Sequence, residues 1–283
     1  MEAYTDFAKV YDTFMDDTPY KEWCEYLTML LKKHQITPAL EGDTGEAGKN
    51  HFLAEKLSQE RNTILDLGCG TGTLTELMAK KGYDMIGVDN APEMLQIAME
   101  KREASGLDIL YLLQDMRELE LYGTVGAAIS VCDSVNYLLE EEDIVDTFRL
   151  VNDYLYPEGL FIFDFNTVYK YETIIGDTTI AENRDNCSFI WENYYHEEEE
   201  INEYDLTIFA RMEEEELFQR FQETHYQRGY GLEQMLDMVE QAGLRFVEAI
   251  DADTHEPVTE ESQRIYIVAR KGSQANSGLN RLE

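Results

Sequence analysis

LDLGCGTG (Leu65–Gly72) runs from an apolar strand pattern straight into glycines at positions 68, 70 and 72. Glycines spaced in this way let the backbone turn tightly out of a strand and let a ligand approach it closely. The arrangement predicts a nucleotide-type cofactor site at the carboxyl end of a first strand. A glycine-rich turn that only packs a helix on a sheet is the alternative. A dinucleotide site fits poorly, because its GxGxxG fingerprint needs a third glycine where Thr73 stands. A pyrophosphate also prefers an uncluttered helix N-terminus. Here Asp66 precedes the first glycine, and a carboxylate suits a cationic ligand better. Asp89 falls 17 residues beyond Gly72, at the end of the next strand pattern, where a carboxylate can take both hydroxyls of a ribose.

Outward from this loop, strands and helices alternate. Thr63–Gly68, Asp84–Asp89, Ile109–Leu113, Val125–Val131 and Leu160–Phe165 read as strands, with helices at Leu74–Lys81, Pro92–Ala104 and Glu142–Tyr154. The pattern predicts an α/β fold with a Rossmann-like, seven-stranded, mostly parallel sheet covered on both faces. A helix at Leu232–Ala242 and strands LRFVEAI and RIYIVAR complete it. Before the core, Phe7, Val10, Tyr11 and Phe14 recur at helical spacing, as do Trp23, Tyr26, Leu27, Leu30 and Leu31. An acid- and glycine-rich loop (Thr37–Asn50) and a short helix near Phe52–Leu57 follow. Between core strands, Cys187–Tyr195, Tyr204–Met212 and Leu217–Gln227 read as antiparallel strands joined through HEEEE and EEEE. The expected division is therefore an N-terminal helical cover and loop (1–62), a core (63–167 and 229–271), an inserted antiparallel sheet (168–228) and a disordered tail (272–283).

The chain has 283 residues and a net charge of -35, which disfavours nucleic acid and anionic membranes as partners. Its 43% hydrophobic share is ample for a core, so the acidity does not imply disorder. The inserted segment holds 16 acidic and 5 basic residues, so part of this charge is local. Four scattered cysteines and five scattered histidines suggest neither disulfides nor a metal site. The opening MEAYTDFAKVYDTFMDD lacks the pattern of a signal peptide, and a cytoplasmic protein is expected.

A ligand with a ribose, no pyrophosphate and a positive charge satisfies Asp66, Asp89 and Thr73 together, and S-adenosylmethionine is such a ligand. LDLGCGTGTL, GVDNAPEML, QDMREL and LYPEGLFIFDF resemble the ordered motifs of class I S-adenosylmethionine-dependent methyltransferases. YDTFMDD, PY.EW and the sheet before ETHYQRGY resemble bacterial small-molecule enzymes of the sugar-amine and glycine N-methyltransferase type. The resemblance implies that Asp66, Gly68, Cys69, Gly70 and Gly72 surround the methionine moiety. It implies that Asp89 holds the ribose, that Asn90 and Met94 line the adenosine side, and that Asp115 and Met116 frame adenine. It places Cys132 and Asp133 beside the methionyl portion and Tyr11 over the cofactor. Core packing is the alternative for Met94, Met116 and Tyr11.

Methyl transfer leaves S-adenosylhomocysteine and needs alignment in a dry pocket; a base helps when the acceptor starts protonated. Asn136 and Tyr137, after strand four, and Asn166, after strand five, are candidate substrate residues. His225 shares a strand face with Glu223 and Phe221 and is the candidate base; a roleless, exposed histidine is the alternative. Arg228 is a candidate for a substrate anion, or else for a surface ion pair. The expected activity is methylation of a nitrogen or oxygen atom of a small molecule, by a monomer or homodimer without metal. An RNA or protein methyltransferase, a non-catalytic module on the same fold and a nicotinamide oxidoreductase are the competing readings.

Overall fold

The computed structural model describes residues 7–36, 60–212 and 217–272. The Thr37–Asn50 loop, the Phe52–Leu57 helix, the Glu213–Glu216 turn and the tail from residue 273 onward lie outside the described residues.

Strand β1 (Thr63–Leu67) is buried along its whole length, as a central strand with both faces covered must be. It pairs in parallel with β2 (Asp84–Asp89) on one side and β4 (Val125–Ser130) on the other. With β3 (Ile109–Leu113), β5 (Leu155–Asn166), β10 (Arg245–Asp251) and β11 (Arg264–Arg270) they form a seven-stranded sheet of order β10-β11-β5-β4-β1-β2-β3. Only β11 runs antiparallel to its neighbours β5 and β10. The order reverses between β1 and β4, so their carboxyl ends open a crevice there.

Alternation along β1 sends Ile64 to one apolar core and Leu65 and Leu67 to the other. The Ile64 side is filled by Leu27, Leu30 and Leu31 of α2 (Tyr20–Lys33) and by Leu74 and Met78 of α3 (Thr73–Lys80). The opposite side takes Phe148 of α5 (Glu141–Tyr154) and Met235, Met238 and Val239 of α6 (Leu232–Gln241). Helix α4 (Pro92–Ser105) starts with proline in its first turn and follows β2.

The inserted sheet has four strands, in the order β6-β7-β8-β9: β6 (Thr179–Asn183), β7 (Cys187–His196), β8 (Ile201–Arg211) and β9 (Phe218–Arg228). Three were expected; β6 was missed because four of its five residues are exposed and it shows no alternation to read. Phe189, Leu206 and Ile208 on the sheet's inner face pack on Val10 and Phe14 of α1 (Ala8–Phe14), with Phe14 edge-on to Phe189 at 4.8 Å. The sheet thus presses the first helix against the carboxyl end of the core, where Ala8 and Tyr11 meet Ala91 and Met94.

Candidate functional site

The loop leaving β1 is held at both ends. The amides of Gly68 and Cys69 donate to the Val88 carbonyl, 2.8 and 3.0 Å away. The Gly70 amide donates to Oδ2 of Asp89 at 2.8 Å, and the Ala91 amide donates to Oδ1 at 2.9 Å. Gly68 has φ +80°, and a Cβ there would strike the side chain of Ser134. Glycine is therefore required both by backbone conformation and by space. Gly72, at φ 73°, caps the start of α3.

A cavity of about 420 Å³ opens against this loop, at the crevice between β1 and β4. Asp66, Gly68, Cys69 and Gly70 form its floor, with Asp89, Asn90 and Met94 along one side. Asp115 and Met116 stand beyond them, while Cys132, Tyr11 and Tyr137 close the remaining wall.

Burial dominates the electrostatics. Asp66 is 2% exposed, and burial pushes its carboxyl up to about 7, against the lowering effect of the Thr75 hydroxyl that donates to it at 2.5 Å. Burial also raises Asp89, opposed by the Ala91 and Gly70 amides. Arg117 binds Asp115 through Nε at 3.0 Å and Nη2 at 2.6 Å, and this hydrogen bonding holds Asp115 below the usual range. Burial raises the Cys69 and Cys132 thiols, with Asp66 and Asp89 adding at Cys69 and Asp133 and Asp164 at Cys132. Both shifts favour the neutral thiol over the thiolate.

The Cys132 wall is built by a residue that sequence reasoning missed. Asp164, fully buried on β5, accepts the amides of Cys132 at 3.1 Å and Asp133 at 2.9 Å. Those bonds hold two non-glycine residues at φ 65° and 56°. A carboxylate inside the apolar run LFIFDF was the signal. Tyr20 and Ser134 also line the cavity without having been singled out. Tyr20 hydrogen-bonds Tyr11, which also reaches the Cys132 thiol. Asp12 latches α1 to the glycine loop: its Oδ1 accepts from Thr71 at 2.7 Å and its Oδ2 pairs with Lys101 at 2.5 Å.

Five expected substrate or cofactor residues have other work: Gly72 does not line the cavity and instead caps α3, where a Cβ would strike Tyr111. Asn136 is fully buried, and its amide donates to the carbonyls of Asn166 and Arg228 and accepts from the Asn166 amide. It joins core to insertion and has no group left for a substrate. Asn166 is 2% exposed and donates to Tyr171 at 2.9 Å. Asp133 does not line the cavity; its carboxylate accepts from Gln227 at 2.6 Å. Arg228 donates to the Leu139 carbonyl and pairs with Glu200 at 3.4 Å and Glu141 at 3.6 Å, the ion-pair alternative.

His225 is not an exposed histidine but 2% exposed. It lies behind the wall, with Nδ1 3.1 Å from the Tyr137 hydroxyl and Nε2 3.2 Å from Glu223. Tyr204 stacks on its ring at 4.9 Å and shares a 2.6 Å hydrogen bond with Tyr137. Among the described residues no three histidine, cysteine or acidic side chains gather as a metal site, and no helix is long and apolar enough to cross a membrane.

The donor set can be tested against S-adenosylmethionine. Asp89 accepts from the Gly70 amide of the glycine loop and from the Ala91 amide beyond its own strand, and keeps further lone pairs for ribose hydroxyls. Asp66 is a buried carboxyl with no basic partner among the described residues, and its ionised form is stabilised when a cation arrives. The residues fit a cationic nucleoside, and a cavity of this size accommodates a ligand of that class.

A mostly parallel seven-stranded sheet, covered on both faces and with β11 antiparallel between β5 and β10, matches the class I methyltransferase fold. A family model described as "Methyltransferase domain" matches residues 64–159. A protein of Geobacillus sp. (strain WCH70), named a methyltransferase with no acceptor stated, is 33% identical over 95% of this chain and 100% of its own. YqeM of Bacillus subtilis (strain 168), named in the same way, is 31% identical over 95% of this chain and 97% of its own. The crystal structure of an S-adenosylmethionine-dependent methyltransferase from Clostridium acetobutylicum superposes with a TM-score of 0.79 at 25% identity, covering 96% of this chain and 100% of the other. The chain belongs to the class I S-adenosylmethionine-dependent methyltransferases.

Proposed function

We propose that this methyltransferase acts on a nitrogen or oxygen atom of a small molecule, and that Tyr137 and His225 receive the acceptor's proton. One observation carries the reading: Tyr137 lines the cavity, and its hydroxyl is hydrogen-bonded to the buried imidazole of His225. S-adenosylmethionine, when bound, supplies an electrophilic methyl group on a sulfonium. Asp66, ionised beside that cation, and the Asp89 carboxylate fix its orientation. Tyr11 of α1 and Tyr20 of α2 line the cavity where they would shield the bound sulfonium from water. An acceptor beside Tyr137 can pass its N–H or O–H proton to the phenol oxygen as the phenol proton moves to Nδ1 of His225. The acidic surface supports a neutral or cationic acceptor over a polyanion.

The test is transfer from methyl-labelled S-adenosylmethionine to small amines and hydroxylated compounds, run beside total RNA and protein. Label in the small-molecule fraction, lowered about 100-fold in His225→Asn, is expected. Label that goes to RNA or protein refutes the acceptor class.

A further inference from the structure

Behind His225 lies a group that the reaction has not yet used. Glu223 sits two residues earlier on β9 and therefore on the same sheet face, and both side chains are 1% exposed. Its Oε2 is 3.2 Å from Nε2 of His225, and its Oε1 accepts the backbone amide of Phe7 at 3.0 Å. Phe7 immediately precedes α1, the helix that brings Tyr11 to the cavity.

We infer that Glu223 is a positioning residue that fixes the tautomer of His225 and ties that setting to the seating of α1 over the cofactor site. This rests on His225 being the proton acceptor. A carboxylate can only accept, so the ring nitrogen facing it carries the proton. Neutral imidazole has one N–H, so Nδ1 is left with a lone pair directed at the Tyr137 hydroxyl. The network then has one consistent direction: Tyr204 donates to Tyr137, Tyr137 to Nδ1, and Nε2–H to Glu223. When Nδ1 takes the proton, the ring becomes an imidazolium, and the carboxylate 3.2 Å away balances that buried charge. The opposite tautomer would place an N–H against the phenol and turn the ring's lone pair toward Glu223, where it cannot take the phenol proton.

Glu223→Gln separates this role from simple packing. The Phe7 amide can only donate, so it keeps the glutamine oxygen and turns the glutamine NH₂ toward Nε2. The ring must answer by moving its proton to Nδ1. Nitrogen-15 histidine labelling with two-bond proton–nitrogen correlation reads the tautomer without any acceptor. His225→Asn identifies the His225 signals among the five histidines. Expected are Nε2–H in the wild type, Nδ1–H in Glu223→Gln, and S-adenosylmethionine affinity unchanged within about twofold. Nδ1–H in the wild type, or the same tautomer in both proteins, overturns the inference. If Glu223→Gln fails to fold, Tyr137→Phe gives the second measurement. Nε2–H persists there if Glu223 sets the tautomer; a switch to Nδ1–H means that Tyr137 set it and overturns the inference.

With an acceptor in hand, Glu223→Gln should lower kcat about 100-fold or more at nearly constant KM, as removal of an orienting carboxylate does in other histidine-base enzymes. An unchanged kcat also overturns the inference. Should His225→Asn itself turn over normally, the proton-acceptor reading fails, while the tautomer experiment still judges Glu223 on its own.

Discussion

Replacing Asp66 by Asn should make the protein more stable and nearly blind to its cofactor. In the fold Asp66 is raised from the usual 3.8 to about 7, first because it is buried, with Asp89 nearby adding to the effect. The protonated form is thus the one the empty fold prefers. That preference contributes fully below pH 3.8 and is lost as pH rises to about 7. Across the interval it amounts to about 4 kcal/mol. Asn imitates the protonated form at every pH, so at pH 8 the variant should gain up to that amount. The corresponding rise in melting temperature is about 5–10 °C, shrinking toward zero below pH 4.

The same titration governs binding. A cationic ligand needs the carboxylate, so below about pH 7 binding must expel a proton. Calorimetry should show the wild-type Kd for S-adenosylmethionine weakening about tenfold from pH 8 to pH 6. Asp66→Asn should bind far more weakly throughout and lose that dependence. A wild-type Kd that is flat with pH, or an equal slope in the variant, refutes the assignment of Asp66 to the cation. A melting temperature that falls at pH 8 refutes the claim that its ionisation is costly.

Asp89→Ala removes an acceptor of ribose hydroxyls, the clamp on the glycine loop at Gly70 and the bond to the Ala91 amide, and should weaken cofactor binding about 10–100-fold by calorimetry. Gly68→Ala forces a side chain onto Ser134 at φ +80° and should cost about 1–3 kcal/mol in denaturant unfolding. Asp12→Ala frees α1 from Thr71 and Lys101. Because that pair is partly exposed, stability should fall by less than about 1 kcal/mol. Cofactor dissociation in stopped flow should become several-fold faster.

The cofactor half of the site was legible because its signals are local. A strand, three glycines and an acid at the end of the next strand lie within 27 residues, and each speaks through its own backbone. Strand ends in the core sheet matched closely for the same reason, except at β5. It begins at Leu155, through Pro157 and Gly159, where the pairing with β4 slips between Val125 and Ala127. Proline at such an irregularity loses no ladder bond, so it did not end the strand as expected. The acceptor half was opaque. Polar residues after strands four and five looked like ligands, yet Asn136 and Asp133 find their partners 30 to 94 residues away, in segments whose approach no local pattern encodes. His225 was found by its chemistry and misjudged in its exposure, since the inward face of β9 is set by contact with the cavity wall.

Asn136 has a consequence for how such enzymes diversify. The chain leaves the core at Asn166 and returns at Tyr230, and the two points touch: Thr167 bridges Tyr230, and the Tyr230 amide donates to the Asn166 carbonyl. One buried amide from the core clasps the backbone at both Asn166 and Arg228. An insertion whose ends meet at a single clasp can be exchanged as one contiguous cassette, since its removal leaves only a short gap to close. Transplanting residues 168–228 between relatives should therefore leave the core folded, with the glycine loop and Asp89 still in place at the crevice.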